Sequence, residues 1–402
     1  MTADTERWGN VVRRRTAILV IGLLLALAAC GGGGGGGGGG GSSKPQALSK
    51  LGPGEGRVDL VAWAGYAENG STDPKVDWVT PFEKKTGCKV NVTIGNTSDE
   101  MVTLMKSGKY DGVSASGDAT LRLISAGEVS PVNTSLVPNY KDIYDALKNK
   151  PHNTVDGVNY GIPHGRGANL LMWRSDVVKQ APDSWSVVFD PSSPYKGKVT
   201  AYDSPIYIAD AALYLKATKP DLGITNPYEL DDKQLQAAVD LLKGQRSVIG
   251  EYWSDYTKEV AAFTSRNSVV GTTWQVIANL LKGEKVPVGV TLPREGSTGW
   301  SDTWMISSKA KHPNCMYMWM DWIVSPKVNA QVAEWFGEAP ANRLSCAETA
   351  DKDHCKTFHA NDEDYFGKVA LWTTPVKKCG DSRGDACTDY AQWVQAWTAI
   401  KG

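Results

Sequence analysis

Seven cysteines and five histidines are the side chains here best suited to covalent, metal or acid–base chemistry, and their spacing argues against most of it. Cys88, Cys315, Cys346, Cys355, Cys379 and Cys387 form an even set, which in an exported chain reads as disulfides. Cys346/Cys355 and Cys379/Cys387 each bracket a short polar loop, leaving Cys88 and Cys315 as a long-range clip. A bridge across either short loop would contribute roughly 2–3 kcal/mol by restricting the unfolded chain. The competing zinc reading is weak, because no C-x-x-C pair exists and His354 beside Cys355 is its main cue. His152, His164, His312, His354 and His359 are scattered, and none sits in a recognisable pairing with a nucleophile. The sequence lacks G-x-S-x-G, Walker A and H-E-x-x-H patterns. Gly165-Arg166-Gly167 is too short for a nucleotide fingerprint, and Asp362-Glu363-Asp364 reads as a solvated acidic loop. These observations predict a non-enzyme with no metal and no cofactor.

The seventh cysteine, Cys30, follows a leader. Arg13, Arg14 and Arg15 precede the apolar stretch Thr16 to Ala29, too short to span a bilayer as a helix. Leu27-Ala28-Ala29-Cys30 resembles the bacterial lipobox, in which the cysteine is acylated and becomes the first mature residue. The alternative is an ordinary signal peptide over 1–29 with an incidental cysteine. Arginine triplets also occur in twin-arginine leaders, but the flanking residues match poorly, so the export route stays open. Gly31 to Gly41 and Ser42-Ser43-Lys44-Pro45 continue as a flexible leash, expected over 30–56, with a reach of roughly 25–30 Å. A lipid, a leash and a globular body place the protein at the outer face of the cytoplasmic membrane, lipid-anchored.

Charge and size bound what the body can be. The chain carries a formal charge of −1. The first 29 residues contribute +2 (Arg7, Arg13, Arg14 and Arg15 against Asp4 and Glu6), so the remainder carries −3. That is no nucleic-acid footprint. No later apolar run is long enough to cross a membrane. The length suits two lobes. Fifteen tryptophans exceed what a core needs, although any one of them is more often core than ligand contact.

The positioning elements alternate. Val58, Leu60 and Ala62 mark one side of a strand, helix-like residues around Val76 to Thr86 end at Gly87, and Cys88, Val90, Val92 and Ile94 alternate as the next strand. Thr97-Ser98-Asp99-Glu100 reads as a capping box opening a helix that stops near Gly108, before a short strand over Tyr110 to Ser114. Further on, strands are expected over Lys198–Tyr202 and Val286–Thr291, and helices over Leu235–Leu242 and Pro313–Val324. Tyr390, Trp393, Val394 and Trp397 share one face of a last helix. This β-α-β-α-β opening predicts an α/β fold with parallel strands.

From Arg57 to Gly402 the chain resembles the substrate-binding proteins of ABC importers, specifically the spermidine/putrescine-binding family. Six segments carry the likeness in order: Ala62-Trp63-Ala64-Gly65-Tyr66; Phe82-Glu83-Lys84-Lys85-Thr86-Gly87; Tyr160-Gly161-Ile162-Pro163 with Gly167-Ala168-Asn169-Leu170; Pro293-Arg294-Glu295-Gly296; Trp300-Ser301-Asp302; and Ser325-Pro326 with Gly337-Glu338-Ala339-Pro340-Ala341-Asn342. The resemblance implies a two-lobed periplasmic-binding-protein fold with a hinge and an inter-lobe cleft. It divides the body into lobe 1, residues 57–162 plus 293–345, and lobe 2, residues 163–292 plus 346–402.

A polyamine is a methylene chain carrying ammonium groups, so its cleft needs aromatic faces and spaced carboxylates. Carried over position by position, the resemblance makes Trp63, Tyr66, Trp274 and Trp300 the aromatic walls, Asp302 a carboxylate and Ser116 a polar contact. The alternative for each tryptophan is core packing. The chain departs from the family on lobe 2, where Asp203 stands near the family's Asp and Tyr207 at its Glu. Asp118 and Glu338 fall where the family has tyrosines, and Arg166 where it has an aromatic residue. Arg166 could neutralise an acid or grip a carboxylate of a zwitterion. The implied function is capture of a polyamine or similar small cation by a monomer that delivers it to an ABC permease. An amino-acid-like solute, or a non-transport sensor module, is the alternative.

Overall fold

The computed structural model describes residues 46–402, which fold around two open sheets. The first runs in the order Lys89–Ile94, Arg57–Ala62, Gly112–Ala115, Thr303–Ile306, Ile162–Pro163. Its first three strands are parallel, and Thr303–Ile306 is antiparallel to both neighbours. Val58, Leu60, Val61 and Ala62 are all buried, as a central parallel strand covered on both faces requires. The second sheet is built on the ten-residue strand Gly165–Arg174. Val270–Trp274, Val199–Tyr202 and Ile249–Trp253 extend it on one side. On the other edge, Val288–Thr291, Ser297–Trp300 and Ala339–Pro340 pair with successive parts of the long strand. Each sheet has its own apolar core, so the body has two lobes.

Local chemistry explains most boundaries. Gly87, with φ 74°, ends the helix Val79–Thr86 in the left-handed conformation that glycine adopts without strain. The box expected at Thr97 forms by half. Thr97 Oγ1 accepts from the Glu100 N–H at 3.1 Å, but the Glu100 carboxylate turns back to the Asn96 N–H at 2.9 Å. Complete boxes open Asp232–Gln245 (Asp231 with Gln234) and Tyr390–Lys401 (Asp389 with Gln392). In the last helix Tyr390, Trp393 and Trp397 are buried, while Val394, at the edge of that stripe, is 39% exposed.

Two expected boundaries move. The leash does not run to Gly56: Leu48 and Leu51 pack on the first core, and the Gly52 N–H donates to Asn314 Oδ1 at 2.6 Å. Glu55 accepts the backbone N–H groups of Asn314 (3.0 Å) and Cys315 (2.9 Å), capping the helix Pro313–Ile323 from outside it. The return to the first lobe comes at Ser301 rather than Pro293, because Ser297–Trp300 pairs within the second sheet. Arg13–Arg15, Cys30 and the glycine run lie outside the described residues.

The cysteines pair as Cys88–Cys315, Cys346–Cys355 and Cys379–Cys387. The first ties the start of a strand to a helix 227 residues later. Replacing Cys379 and Cys387 together by Ser should cost about 2–3 kcal/mol, by loop closure in the unfolded chain. Denaturant unfolding checks this, and an unchanged midpoint would mean that the bridge constrains nothing the fold needs.

Candidate functional site

Five tryptophans occupy corresponding places. Trp253, Trp274 and Trp300 end their strands, while Trp63 and Trp372 directly follow Arg57–Ala62 and Val369–Leu371. The carboxyl ends of strands are where open α/β sheets expose a crevice. Between the lobes, Trp63, Ser116, Trp274, Trp300, Asp302, Phe336 and Trp372 enclose a cavity with room for little more than one water, about 20 Å³. Trp300 stands edge-on to Phe336 at 5.7 Å. Gly167 makes this possible: a Cβ there would fall 2.5 Å from the Trp300 ring. Glycine at Gly165 likewise leaves space for the Glu338 carboxyl.

Asp302 lies on the crossing between Ser297–Trp300 of one sheet and Thr303–Ile306 of the other. Its carboxylate accepts from Ser116 Oγ at 2.5 Å and from Tyr66 Oη at 2.7 Å. Behind it, Tyr66 Oη is 3.2 Å from Glu338 Oε2, and Glu338 Oε1 is 3.2 Å from His164 Nε2. The Trp304 indole N–H donates to His164 Nδ1 at 3.1 Å, so the imidazole proton sits on Nε2, facing Glu338. A phenol has one proton, and Tyr66 gives it to Asp302. Its contact with Glu338 is then favourable when Glu338 is protonated and donates to Tyr66 Oη. Burial supports that state, holding the Glu338 carboxyl well above its usual range, with the Asp302 charge adding to the effect. Burial also pushes Asp302 up to about 6, against the pull of Ser116 and Tyr66, and His164 down to about 3.

The other expected residues are elsewhere. Tyr66 and Glu338 lie behind the cavity wall. Asp118 accepts from Ser98 Oγ at 2.8 Å within its own lobe, and burial raises it to about 6. Asp203 is taken up by the last helix, accepting from Trp397 Nε1 at 3.1 Å and pairing with Lys401. Tyr207 is inside the second lobe, with Gln245 Nε2 donating to its hydroxyl at 3.0 Å. Arg166 does not reach the cavity. It pairs with Glu363 at 2.6 Å, donates to the Ala360 carbonyl and stacks on Phe366 at 3.7 Å, so Glu363 of the acidic run has a partner. Phe336 and Trp372 are lining residues that the sequence reading missed. For Trp372 a signal existed, a tryptophan at the end of a short strand.

A model of bacterial extracellular solute-binding proteins matches residues 77–362. The chain belongs to that family. It is 25% identical over 356 residues to the spermidine/putrescine-binding periplasmic protein of Escherichia coli, covering 85% of this chain and 95% of the relative. A putative spermidine/putrescine ABC transporter structure from Listeria monocytogenes has TM-score 0.70 at 18% identity, covering 86% of this chain and 99% of that one. The Atu4243 GABA receptor has TM-score 0.62 at 17% identity, covering 86% and 95%. This solute-binding protein is thus related at low identity to polyamine-binding periplasmic proteins, and its fold is the two-lobed periplasmic-binding-protein architecture. Among the described residues no helix is long and apolar enough to cross a membrane.

In this solute-binding protein the lobes also touch beside the cavity. Tyr390 Oη donates to Asp99 at 3.2 Å, and Arg122 pairs with Asp99 at 2.7 Å while lying 4.1 Å over the Tyr390 ring. Thr374 Oγ1 donates to the Asp118 carbonyl at 2.8 Å, and a Cβ on Gly117 would fall 1.8 Å from the Trp372 carbonyl. Tyr390→Phe keeps the ring and removes one cross-lobe bond. Small-angle scattering of the free protein should show a larger radius of gyration, with solute affinity reduced roughly 2–5-fold, about one hydrogen bond's worth. No change in either would mean that this seam does not hold the lobes together.

Proposed function

We propose that this protein captures a small organic cation, a polyamine such as putrescine or spermidine, between its lobes and presents it to an ABC permease. The observation that carries this is an excess of buried acid. Asp210, Glu259, Asp302 and Glu338 are each at most 5% exposed, and none has a Lys or Arg partner among the described residues. A cation entering between the tryptophans would supply the missing charge to Asp302 and lie against aromatic faces. The cavity is far smaller than such a solute, so the lobes must part to admit it and close again around it. Site residues on this reading are Trp63, Ser116, Trp274, Trp300, Asp302, Phe336 and Trp372, with Tyr66 and Glu338 holding Asp302 from behind. Cys30 would carry the lipid that keeps the protein at the outer face of the membrane, where it acts as a monomer.

One observation favours a second reading, an amino-acid-like solute. The buried indole N–H groups of Trp63, Trp300 and Trp372 lack acceptors among the described residues, and an ammonium cannot supply one. Calorimetric titration with putrescine, spermidine and an ω-amino acid separates the two. Tight amine binding that weakens with salt supports the cation. Heat from the amino acid alone transfers the role to the indole donors.

A further inference from the structure

We propose that a second cationic subsite lies beneath the cleft floor, in the lobe-2 cavity closed by Tyr202, Tyr207, Trp253 and Trp274 around Asp210. This rests on the cation reading above and adds where in the molecule the solute's second positive charge is held. The cavity is also lined by Asn169, Thr272 and Thr273, and it shares Trp274 with the inter-lobe cavity, so that ring is the partition between the two.

Three features mark this place as more than a packing defect. First, Asp210 is the charged residue of the lining, 5% exposed, and its side-chain partner is a neutral hydroxyl, Thr298 Oγ1 at 2.8 Å. Second, aromatic rings surround it. Tyr202, Trp253 and Trp274 lie 4.9–5.4 Å from one another, and Tyr207 adds a fourth ring. Rings around one carboxylate suit an alkylammonium, which meets their negative faces and the acid together. Third, the fully buried Trp253 Nε1–H has no acceptor among the described residues, so the lining has unspent polar capacity, and the cavity, about 10 Å³, has room for one water-sized group such as an ammonium head.

Hydrogen bonds also tie Asp210 to the partition. Trp274 Nε1 donates to Asn169 Oδ1 at 3.1 Å, Asn169 Nδ2 to Thr298 Oγ1 at 2.6 Å, and Thr298 Oγ1 to Asp210. Each donor is committed in one direction, which orients Trp274 relative to the acid. A linear diamine would place one ammonium at Asp302, run its methylenes along Trp274 and reach Asp210 with the other. Chain length therefore becomes the specificity variable.

Calorimetric titration of the protein with butylamine and a series of linear diamines from diaminopropane to diaminooctane tests this. Asp210→Asn should reduce affinity for the best-fitting diamine roughly 30-fold or more, leave butylamine unchanged, and flatten the dependence on length. Thr272→Ile, which fills the cavity without touching charge, should give the same pattern if Asp210→Asn does not fold. Equal losses for monoamine and diamine, or no loss for either, would overturn the subsite while the cation reading stood. If the unaltered protein binds none of these amines, the cation reading itself is wrong and the subsite falls with it.

Discussion

Asp302→Asn should lower affinity for a dicationic amine by roughly a hundredfold or more, because it leaves a desolvated ammonium without its counter-charge. The fold should survive the change. Ser116 and Tyr66 both present hydroxyls, which can accept from the new amide as readily as they donate to the carboxylate. Removing a buried charge also relieves the desolvation that raises this carboxyl to about 6, so the melting temperature should hold or rise. Calorimetry and thermal unfolding on the same preparation decide it. A variant that melts normally and binds the amine as before would move the recognition site away from Asp302. A variant that loses the amine yet still binds an amino acid through the indole donors would identify Asp302 as the cation-selective group.

The tryptophan positions show how far sequence alone reached. A chain this rich in tryptophan cannot say which rings pack and which line a site, since both need apolar surface. Position relative to strands resolves part of that. Trp63, Trp274 and Trp300 were named from family likeness, yet each is also at the carboxyl end of its strand, as is Trp372, which was missed. Phe336 gave no such signal, since it ends a helix and reaches the cavity through tertiary packing. The acids were harder. Asp203, next to its strand, looked like the lobe-2 carboxylate, but Lys401 and Trp397, almost 200 residues later, claim it. Arg166 was displaced in the same way by Glu363. In both cases a long-range partner decided the outcome, and no local pattern encodes one. The disulfides were legible because two of the three close loops within a dozen residues, leaving one pairing for the third.

The buried acids give the free protein a stability profile opposite in slope to its affinity profile. Burial raises Asp302 to about 6 and Asp210 to about 7, and holds Glu259 and Glu338 well above the usual range. Carboxyls with raised folded-state pKa bind protons more tightly folded than unfolded. Their contribution is present at low pH and is lost as pH rises through those folded values. Buried histidines act in the other sense. His152, lowered to about 4, and His164, lowered to about 3, stay neutral in the fold and cost stability as pH falls below their unfolded value near 6.5. The opposing slopes leave a clean window above pH 6.5, where the acids act alone. Between pH 6.5 and 8 a carboxyl titrating near 7 loses about 1 kcal/mol, and one that stays protonated throughout loses about 2 kcal/mol. The four raised carboxyls outnumber the two histidines, so the free protein should lose stability steadily from pH 6.5 toward pH 8. Cation binding runs the other way, since an ammonium needs Asp302 ionised, and affinity should drop up to about tenfold per pH unit below 6. Stabilisation by added putrescine should thus be slight at pH 5 and large at pH 8, where the charge it neutralises is fully developed. Melting curves across that range, with and without the amine, check both slopes. A flat profile from pH 6.5 to 8 would mean that these carboxyls are already ionised in the fold at pH 6.5, and amine stabilisation that grows toward acid would remove Asp302 as the cation's partner.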